Sequence, residues 1–483
     1  MRLVIKLLAG CRNILQAKSG LVPAGDSGMW RRLARTKGFD TPRQRRSVFR
    51  ILSRSFTVRS AKDAESSSSA VKNIIFDKIR VSGPITVAEY MKLAASTYYS
   101  TNAAATNDST YGIGGDFVTS PEISQMFGEL IGVWCAYESW KMGHNGPWQV
   151  VELGPGNGSL MLDCLNTFRQ VRITRDDDRH HQLSVRLVET SEALAAKQER
   201  LLCTPAVSTS MADQEPTQNS EVEENDHYFK KNVTSFGSPA FWYKDLDDVP
   251  RRFSFILAHE FFDALPVHKF QRSTDGKWRE IFVDADFEQK RLKFALARGE
   301  SVAQRTYLTK DILQRLPSNV DHIEISPQSW YVLRQSIDRI TENGGAILII
   351  DYGYDKEEKC GDTLRAFRKH KLMENFLNED LGSYDITADV NFEQLKRIAQ
   401  ENACCFGPMT QGDFLRNLGI EVRLKTLLKS AKSDDEREYL RKSYEMLVND
   451  EQMGSKFKVL AIFPKVLKPY LALRPPAGFC ELR

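Results

Sequence analysis

Val150-Val-Glu-Leu-Gly-Pro-Gly-Asn-Gly-Ser-Leu-Met-Leu162 is the stretch on which the reading of this chain turns. An apolar run ends in an acid, Glu152. Three glycines follow at alternate positions, Gly154, Gly156 and Gly158, and a helix-forming run opens at Ser159. Without a Cβ the backbone can turn sharply there and lie flat against a ligand. A strand passing through a glycine turn into a helix is how open α/β sheets hold nucleotides at the carboxyl ends of their strands. A dinucleotide fingerprint, G-x-G-x-x-G, places its third glycine three residues after the second. Here the step is two, which argues against a nicotinamide cofactor. A glycine-rich turn with no ligand is the plainer alternative.

Working outward, the pattern stays α/β. Residues 148–153 read as the first strand and 159–169 as its helix. After a charged loop, 171–181, Leu183-Ser-Val-Arg-Leu-Val-Glu189 reads as a second strand ending in an acid, with a helix at 191–202. Phe253-Ser-Phe-Ile-Leu-Ala258 and Gly345-Ala-Ile-Leu-Ile-Ile-Asp351 are continuous apolar runs with acids only at their carboxyl ends, as in a parallel sheet covered on both faces. Between them, Val267-His-Lys-Phe-Gln-Arg, Trp278-Arg-Glu-Ile-Phe-Val and Leu292-Lys-Phe-Ala-Leu-Ala alternate apolar and polar, the mark of an antiparallel meander. The expected organisation is therefore an N-terminal helical region over 74–140, a core over 148–264 and 341–465, and an inserted β-rich subdomain over 265–325. Within the first of these, Thr86 with Glu89, and Ser120 with Pro121 and Glu122, carry helix-start signals. The chain is helix-rich from 390, and a last strand is expected at Gly454–Phe463.

Composition bounds the function. A net charge of +4 on 483 residues gives no general nucleic-acid surface. The positive excess lies in the first sixty residues, from Arg2 to Arg59, where only Asp26 and Asp40 oppose it, so the remainder is acidic on balance. No apolar run is long enough to span a bilayer. The Arg-rich, acid-poor start, followed by serines 66 to 69, has the makeup of a mitochondrial presequence. Residues 1–60 are expected to be transit peptide and linker, processed near Arg54-Ser-Phe-Thr-Val; a retained basic tail is the alternative. The cysteines form no C-x-x-C pair and no zinc spacing, so no metal is expected. Residues 206–226, acidic and aromatic-poor, read as an exposed insertion.

Acids fall just past the strands at Glu152, Glu189, Glu260 with Asp263, and Asp351, points that converge on the crevice where strand order reverses. Glu189 is placed to hold both ribose hydroxyls of a nucleoside, or is a solvated strand-end glutamate. Glu152 either orients the glycine loop or approaches the ligand itself. His259-Glu-Phe-Phe-Asp-Ala-Leu-Pro-Val-His268 is the best catalytic candidate. If the acceptor is a guanidinium, always charged in water, Glu260 and Asp263 can pair with its spare N–H groups and leave the attacking nitrogen free. Phe261 and Phe262 either line a slot for that planar group or are core, and Asp263 alternatively caps a following helix.

The form E-x-G-x-G-x-G at Glu152–Gly158 resembles the first motif of class I S-adenosylmethionine-dependent methyltransferases. Further blocks resemble the MidA family of mitochondrial complex I assembly factors: Gly115-Asp-Phe-Val-Thr-Ser-Pro-Glu-Ile-Ser-Gln-Met-Phe-Gly-Glu129, His259–His268, Ile350-Asp-Tyr-Gly353, Gly361-Asp-Thr-Leu-Arg365, Asp385-Ile-Thr-Ala-Asp-Val-Asn-Phe392 and Met453-Gly-Ser-Lys-Phe457. The likeness spans roughly 74–465. It implies a Rossmann-like class I methyltransferase core with an inserted antiparallel β subdomain and extra helices. S-adenosyl-L-methionine is the implied methyl donor, seated by Glu152, Gly154, Gly156, Gly158 and Glu189. It further implies symmetric dimethylation of an arginine in a 49 kDa-type core subunit of respiratory complex I, in the mitochondrial matrix, with Glu260 and Asp263 catalytic. A donor-binding assembly chaperone acting by protein contact, and a small-molecule methyltransferase, are the alternatives. Asn157 stands where the family commonly has arginine, Ser159 where it has threonine, and Asn378–Tyr384 departs from the family pattern.

Overall fold

The computed structural model describes residues 62–104, 119–175, 183–203, 227–369 and 371–479. The expected presequence, the approach to the Ser120 block (105–118) and the insertion at 206–226 lie outside them.

The chain begins with α1 (Lys62–Ser82), β1 (Ile85–Thr86) and α2 (Val87–Ala104). Thr86 marks the start of α2, its Oγ1 accepting the Glu89 amide at 3.1 Å. The next start signal resolves differently from expectation. A single turn, α3 (Ser120–Ile123), precedes Ser124, which is extended at φ −162° and ψ 135°, and Ser124 caps α4 (Gln125–Lys141) by accepting the Met126 amide. The break leaves the Ile123 carbonyl free of the helix, and the Tyr439 and Ser443 hydroxyls donate to it at 2.8 and 3.1 Å.

Next come β2 (Trp148–Leu153), α5 (Ser159–Arg175), β3 (Leu183–Val188) and α6 (Glu192–Leu202). A hairpin without an expectation follows, β4 (Lys230–Val233) and β5 (Pro239–Tyr243), and then β6 (Phe253–His259). The alternating segment forms β7 (His268–Arg272), β8 (Trp278–Asp286) and β9 (Arg291–Leu296); α7 (Val302–Tyr307) and α8 (Lys310–Arg315) lead on to β10 (His322–Ile325). Helix α9 (Pro327–Asn343) returns the chain to β11 (Gly345–Tyr354). A small sheet of β12 (Arg365–Arg368), β13 (Lys371–Met373) and β14 (Asp385–Thr387) comes next, then β15 (Val390–Asn391) and α10 (Phe392–Asn402). The end is β16 (Ala403–Thr410), α11 (Gln411–Asn417), α12 (Ile420–Ser430), α13 (Asp434–Val448), α14 (Met453–Lys456), β17 (Phe457–Pro464) and α15 (Lys468–Leu473).

The large sheet runs β16-β17-β11-β6-β2-β3-β5-β4. Neighbours from β11 to β5 are parallel, and β17 lies antiparallel between β11 and β16. Strand alternation sends successive residues to opposite faces. Val150, Phe255 and Leu348 meet Trp134 of α4 and Leu165 of α5 on one side. Val151, Ile256 and Ile347 meet Leu333 of α9 and Leu395 of α10 on the other. Burial on both faces explains the uninterrupted apolar runs. From β2 the chain moves outward to β3 and β5, and from β6 the opposite way to β11, so order reverses at the carboxyl ends of β2 and β6. That is where such sheets bind ligands.

The second sheet pairs β7, β8 and β9 antiparallel, adds β10 beside β7, and takes β1 beside β8 with Ile85 opposite Val283. The 74–140 segment thus contributes a strand to it as well as helices. Ile75, Ile79, Tyr90 and Met91 of α1 and α2 pack on Ile281 and Val283 of β8.

Candidate active site

The loop after β2 turns through three glycines at positive φ: Gly154 at 63°, Gly156 at 53° and Gly158 at 87°. At Gly154 the space matters too, since a Cβ would stand 3.0 Å from the Phe261 ring. The Gly154 amide donates to the Val188 carbonyl at 3.1 Å, which ties the loop to the end of β3. Gln198 of α6 completes the cradle. Its amide nitrogen donates to the Gly156 carbonyl at 2.8 Å and to Glu189 Oε2 at 3.1 Å, while its oxygen accepts Trp242 Nε1 at 2.9 Å. Glu189 Oε1 accepts the Ser191 amide at 2.7 Å. Burial lifts the Glu189 carboxyl to about 6, with the Ser191 and Gln198 hydrogen bonds pulling the other way. A carboxylate has about four lone-pair sites, so Glu189 keeps acceptor capacity.

Glu152 is 3% exposed, and its Oε2 has no hydrogen-bond partner. Burial alone pushes its carboxyl up to about 8. A buried polar atom left without a partner costs free energy, and a cationic ligand at the glycine loop would relieve it.

Across the crevice, β6 ends in a turn with an unusual conformation. Glu260 lies at φ 47°, left-handed for a non-glycine residue, where sparsely populated backbone often marks a functional site. The cause is Asp351, three residues before the end of β11. Its Oδ2 accepts three successive amides, Phe261 at 3.2 Å, Phe262 at 3.0 Å and Asp263 at 3.3 Å, and its Oδ1 accepts the Tyr352 amide at 2.9 Å. One buried carboxylate thereby folds the whole turn. Asp263 does not cap a helix: no helix follows it, and its Oδ2 accepts the Tyr352 hydroxyl. Asp263 Oδ1 and Glu260 Oε1 are buried without hydrogen-bond partners, the nearest group to Glu260 Oε1 being His259 Nε2 at 3.5 Å. Burial, and then the charge of Asp263, hold the Glu260 carboxyl well above its usual range. Burial raises Asp263 too, opposed by the Tyr352 hydrogen bond and the charge of Arg365. Burial likewise lowers His259 to about 3, so its ring is neutral.

The two phenylalanines part company. Phe262 is core, and Phe261 is half-buried against the glycine loop. The turn of α3 reaches the same place, because Asn157 of the glycine loop donates to Glu122 Oε1. Four residues here have no role in the site that the sequence reading assigns. Gln198 was readable in principle as an amide on the apolar stripe Leu194, Ala195 and Leu202 of α6. The contacts of Glu122, Asn157 and Tyr352 join elements far apart in the chain, and no local pattern marks them. Among the described residues no group of three or more His, Cys, Asp or Glu is arranged to hold a metal ion, and no helix is long and apolar enough to cross a membrane.

The profile of a family described as "Putative S-adenosyl-L-methionine-dependent methyltransferase" matches residues 130–409, more than half of the chain. The chain belongs to this methyltransferase family. The methyltransferase is 39% identical to "Protein arginine methyltransferase NDUFAF7, mitochondrial" of Xenopus tropicalis over 426 residues, 87% of this chain and 91% of that one. It is 39% identical to the Homo sapiens protein of the same name, covering 84% and 88%, and 40% identical to the Caenorhabditis elegans homolog, covering 85% and 90%. A COG1565 superfamily protein of Burkholderia thailandensis, crystallised with S-adenosyl-homocysteine, superposes at a TM-score of 0.63 with 21% identity, over 85% of this chain and 96% of that one. That likeness shows the α/β methyltransferase fold. The residues of the crevice fit the family's donor: a glycine loop open to close approach, and the orphaned Glu152 carboxyl to face a positively charged molecule.

Proposed function

We propose that this methyltransferase acts on protein arginine in mitochondria. Its acceptor is an arginine of a complex I core subunit, which it dimethylates symmetrically in the matrix to serve assembly of the complex. The names of relatives matched over most of their length support the arginine and mitochondrial parts of this reading. The observation that carries the chemistry is the pair of buried carboxyls, Glu260 and Asp263, each with an unpartnered oxygen, on a turn whose Phe261 touches the glycine loop. Buried carboxylates of this kind call for a cation with several N–H donors, and a guanidinium supplies them in a planar fork.

In this reading S-adenosyl-L-methionine supplies an electrophilic methyl group on a sulfonium. Gly154, Gly156 and Gly158 let the backbone approach the donor, Glu189 takes its ribose hydroxyls, and Glu152 faces its positive end. Glu260 and Asp263 hold the spare N–H groups of the acceptor, draw its charge towards themselves and fix the attacking nitrogen, the positioning that such a displacement needs. Phe261 closes the wall between the two halves and keeps water out. The proton shed by the alkylated nitrogen passes to one of the two carboxylates. The organisation that goes with this reading is a core over 148–264 and 341–465 with the 265–325 insertion above its carboxyl edge. Mass spectrometry of complex I subunits from cells lacking the protein tests the proposal: an arginine that loses symmetric dimethylation is expected, and an unchanged pattern would overturn it.

A further inference from the structure

Asp351 and Tyr352, adjacent in the last half of β11, grip the 260–263 turn in two ways. Asp351 holds its backbone, and Tyr352 holds the side chain of Asp263 by donating to Oδ2. We propose that Tyr352 is a positioning residue for methyl transfer: by occupying Oδ2 it keeps Asp263 anionic, with Oδ1 turned to an N–H of the acceptor guanidinium. This rests on the assignment of Asp263 to the acceptor given above.

The ring of Tyr352 is held from both sides. Phe457, its partner on β17, meets it edge-on with centroids 5.5 Å apart. The Arg365 guanidinium lies 4.9 Å from its centroid. Arg365 is itself fixed, 2.6 Å from Asp389 Oδ1 and 3.1 Å from the Thr363 carbonyl. The phenol is thus held in place, its hydroxyl donating to Asp263 with the Thr387 side chain also in contact.

The charged groups around Asp263 come from several elements. From β11 come Tyr352 and Asp351, and from β12 the cation Arg365. Glu260 shares the turn and itself feels Glu122 of α3 and Asp385 of β14. Burial opposes ionisation of Asp263; the Tyr352 hydrogen bond favours its anion most, followed by the Arg365 charge and the backbone amides of Ala264 and Asp263. Burial holds the phenol protonated far above neutral pH, so it remains a donor throughout. A hydrogen bond to a charged group is worth more than one between neutral groups, and one that favours the charged form lowers a carboxyl's pKa.

The test is Tyr352→Phe in the full chain, beside Asp263→Asn. The recombinant 49 kDa-type complex I subunit serves as acceptor, with tritium-labelled S-adenosylmethionine as donor. Expected for Tyr352→Phe are donor affinity within about twofold of wild type and kcat/KM for acceptor down roughly tenfold or more. The acid limb of its pH profile should move to higher pH, because Asp263 then ionises later. An unmoved limb with normal kcat/KM overturns the inference. Asp263→Asn separates the two assignments. If it stays active, the role of Asp263 falls; if it is inactive while Tyr352→Phe is normal, only the role of Tyr352 falls. Should Tyr352→Phe unfold, 3-fluorotyrosine at 352 keeps the shape but donates more strongly, so the limb should move to lower pH. The infrared carboxyl band that disappears in Asp263→Asn gives the same answer without any acceptor: it should titrate at higher pH in Tyr352→Phe, and an unchanged titration rejects the proposal.

Discussion

Binding of S-adenosylmethionine should expel a proton from Glu152. In the free protein this carboxyl is buried, has an unpartnered oxygen and sits at about 8. At pH 7 such a group is roughly 90% protonated, at pH 8 about half, and at pH 9 about 10%. A donor carrying a sulfonium and an ammonium beside it favours the anion, so binding at pH 7 should release close to one proton, about 0.9, falling to about 0.1 at pH 9. Titration calorimetry in buffers of different ionisation enthalpy measures this number directly. Glu152→Gln should bind with no such release, apart from any smaller contribution of Glu189. S-adenosylhomocysteine, which has no charge on sulfur, tells which end of the donor Glu152 faces: full release points to the ammonium, and lost release to the sulfonium. The same carboxyl sets a sign for stability. Its folded pKa lies above the ordinary glutamate value, so the folded state binds the extra proton, and the free protein should lose stability as pH rises from about 4.5 through 8. Release near zero at pH 7, or release equal in wild type and Glu152→Gln, would show that Glu152 does not face the donor's positive charge.

Other expectations can be checked with single variants. Glu260→Gln keeps the shape but removes the anion from the acceptor side, so turnover should fall by at least a hundredfold while calorimetric donor affinity stays near wild type; normal methylation would move the role elsewhere. Gly156→Val places a β-branched residue at φ 53°, costing roughly 1–2 kcal/mol of stability, and should abolish the heat of donor binding; undiminished affinity would count against the loop as donor site. Asp351→Asn puts an N–H donor in place of one of the two oxygens that accept four backbone amides, and should lower kcat more than it alters donor affinity. Gly345→Ala would put a Cβ 1.9 Å from the Ser254 carbonyl at φ 111°, and a loss of roughly 3 kcal/mol or more in denaturant unfolding is expected.

The parts of the fold legible in sequence were those whose signal is local and repeated. The glycine turn, the apolar runs of β2, β6 and β11, and the alternation of β7 to β9 each state their own environment within a few residues. The edges did not. Lys230-Lys-Asn-Val is short and half polar because β4 covers only one side of β5. In β16, Gly407-Pro408 looks like a breaker, yet it falls where the pairing register with β17 shifts, on an edge strand that tolerates proline. The α3 break is not legible because Ser120 and Ser124, four residues apart, both suit a cap, and the Ile123 carbonyl freed by the break is taken up by hydroxyls of α13 more than three hundred residues away. At the site, Asp351 was legible as a strand-tip acid but not as the group that bends the 260–263 turn. That role appears only when β11 lies beside β6 in register, with Ile350 opposite His259.

The position of β17 has a consequence for how the chain is made. Among the described residues it is the last strand in sequence, yet it has a neighbour on each side, with β11 on one edge and β16 on the other. Until residues 457–464 have been synthesised, two rows of main-chain donors and acceptors stay open, and open rows of this kind invite pairing with foreign chains. A ribosomal product cut short before Phe457 would therefore be both inactive and sticky. A nascent copy needs shielding until residues 457–464 have emerged.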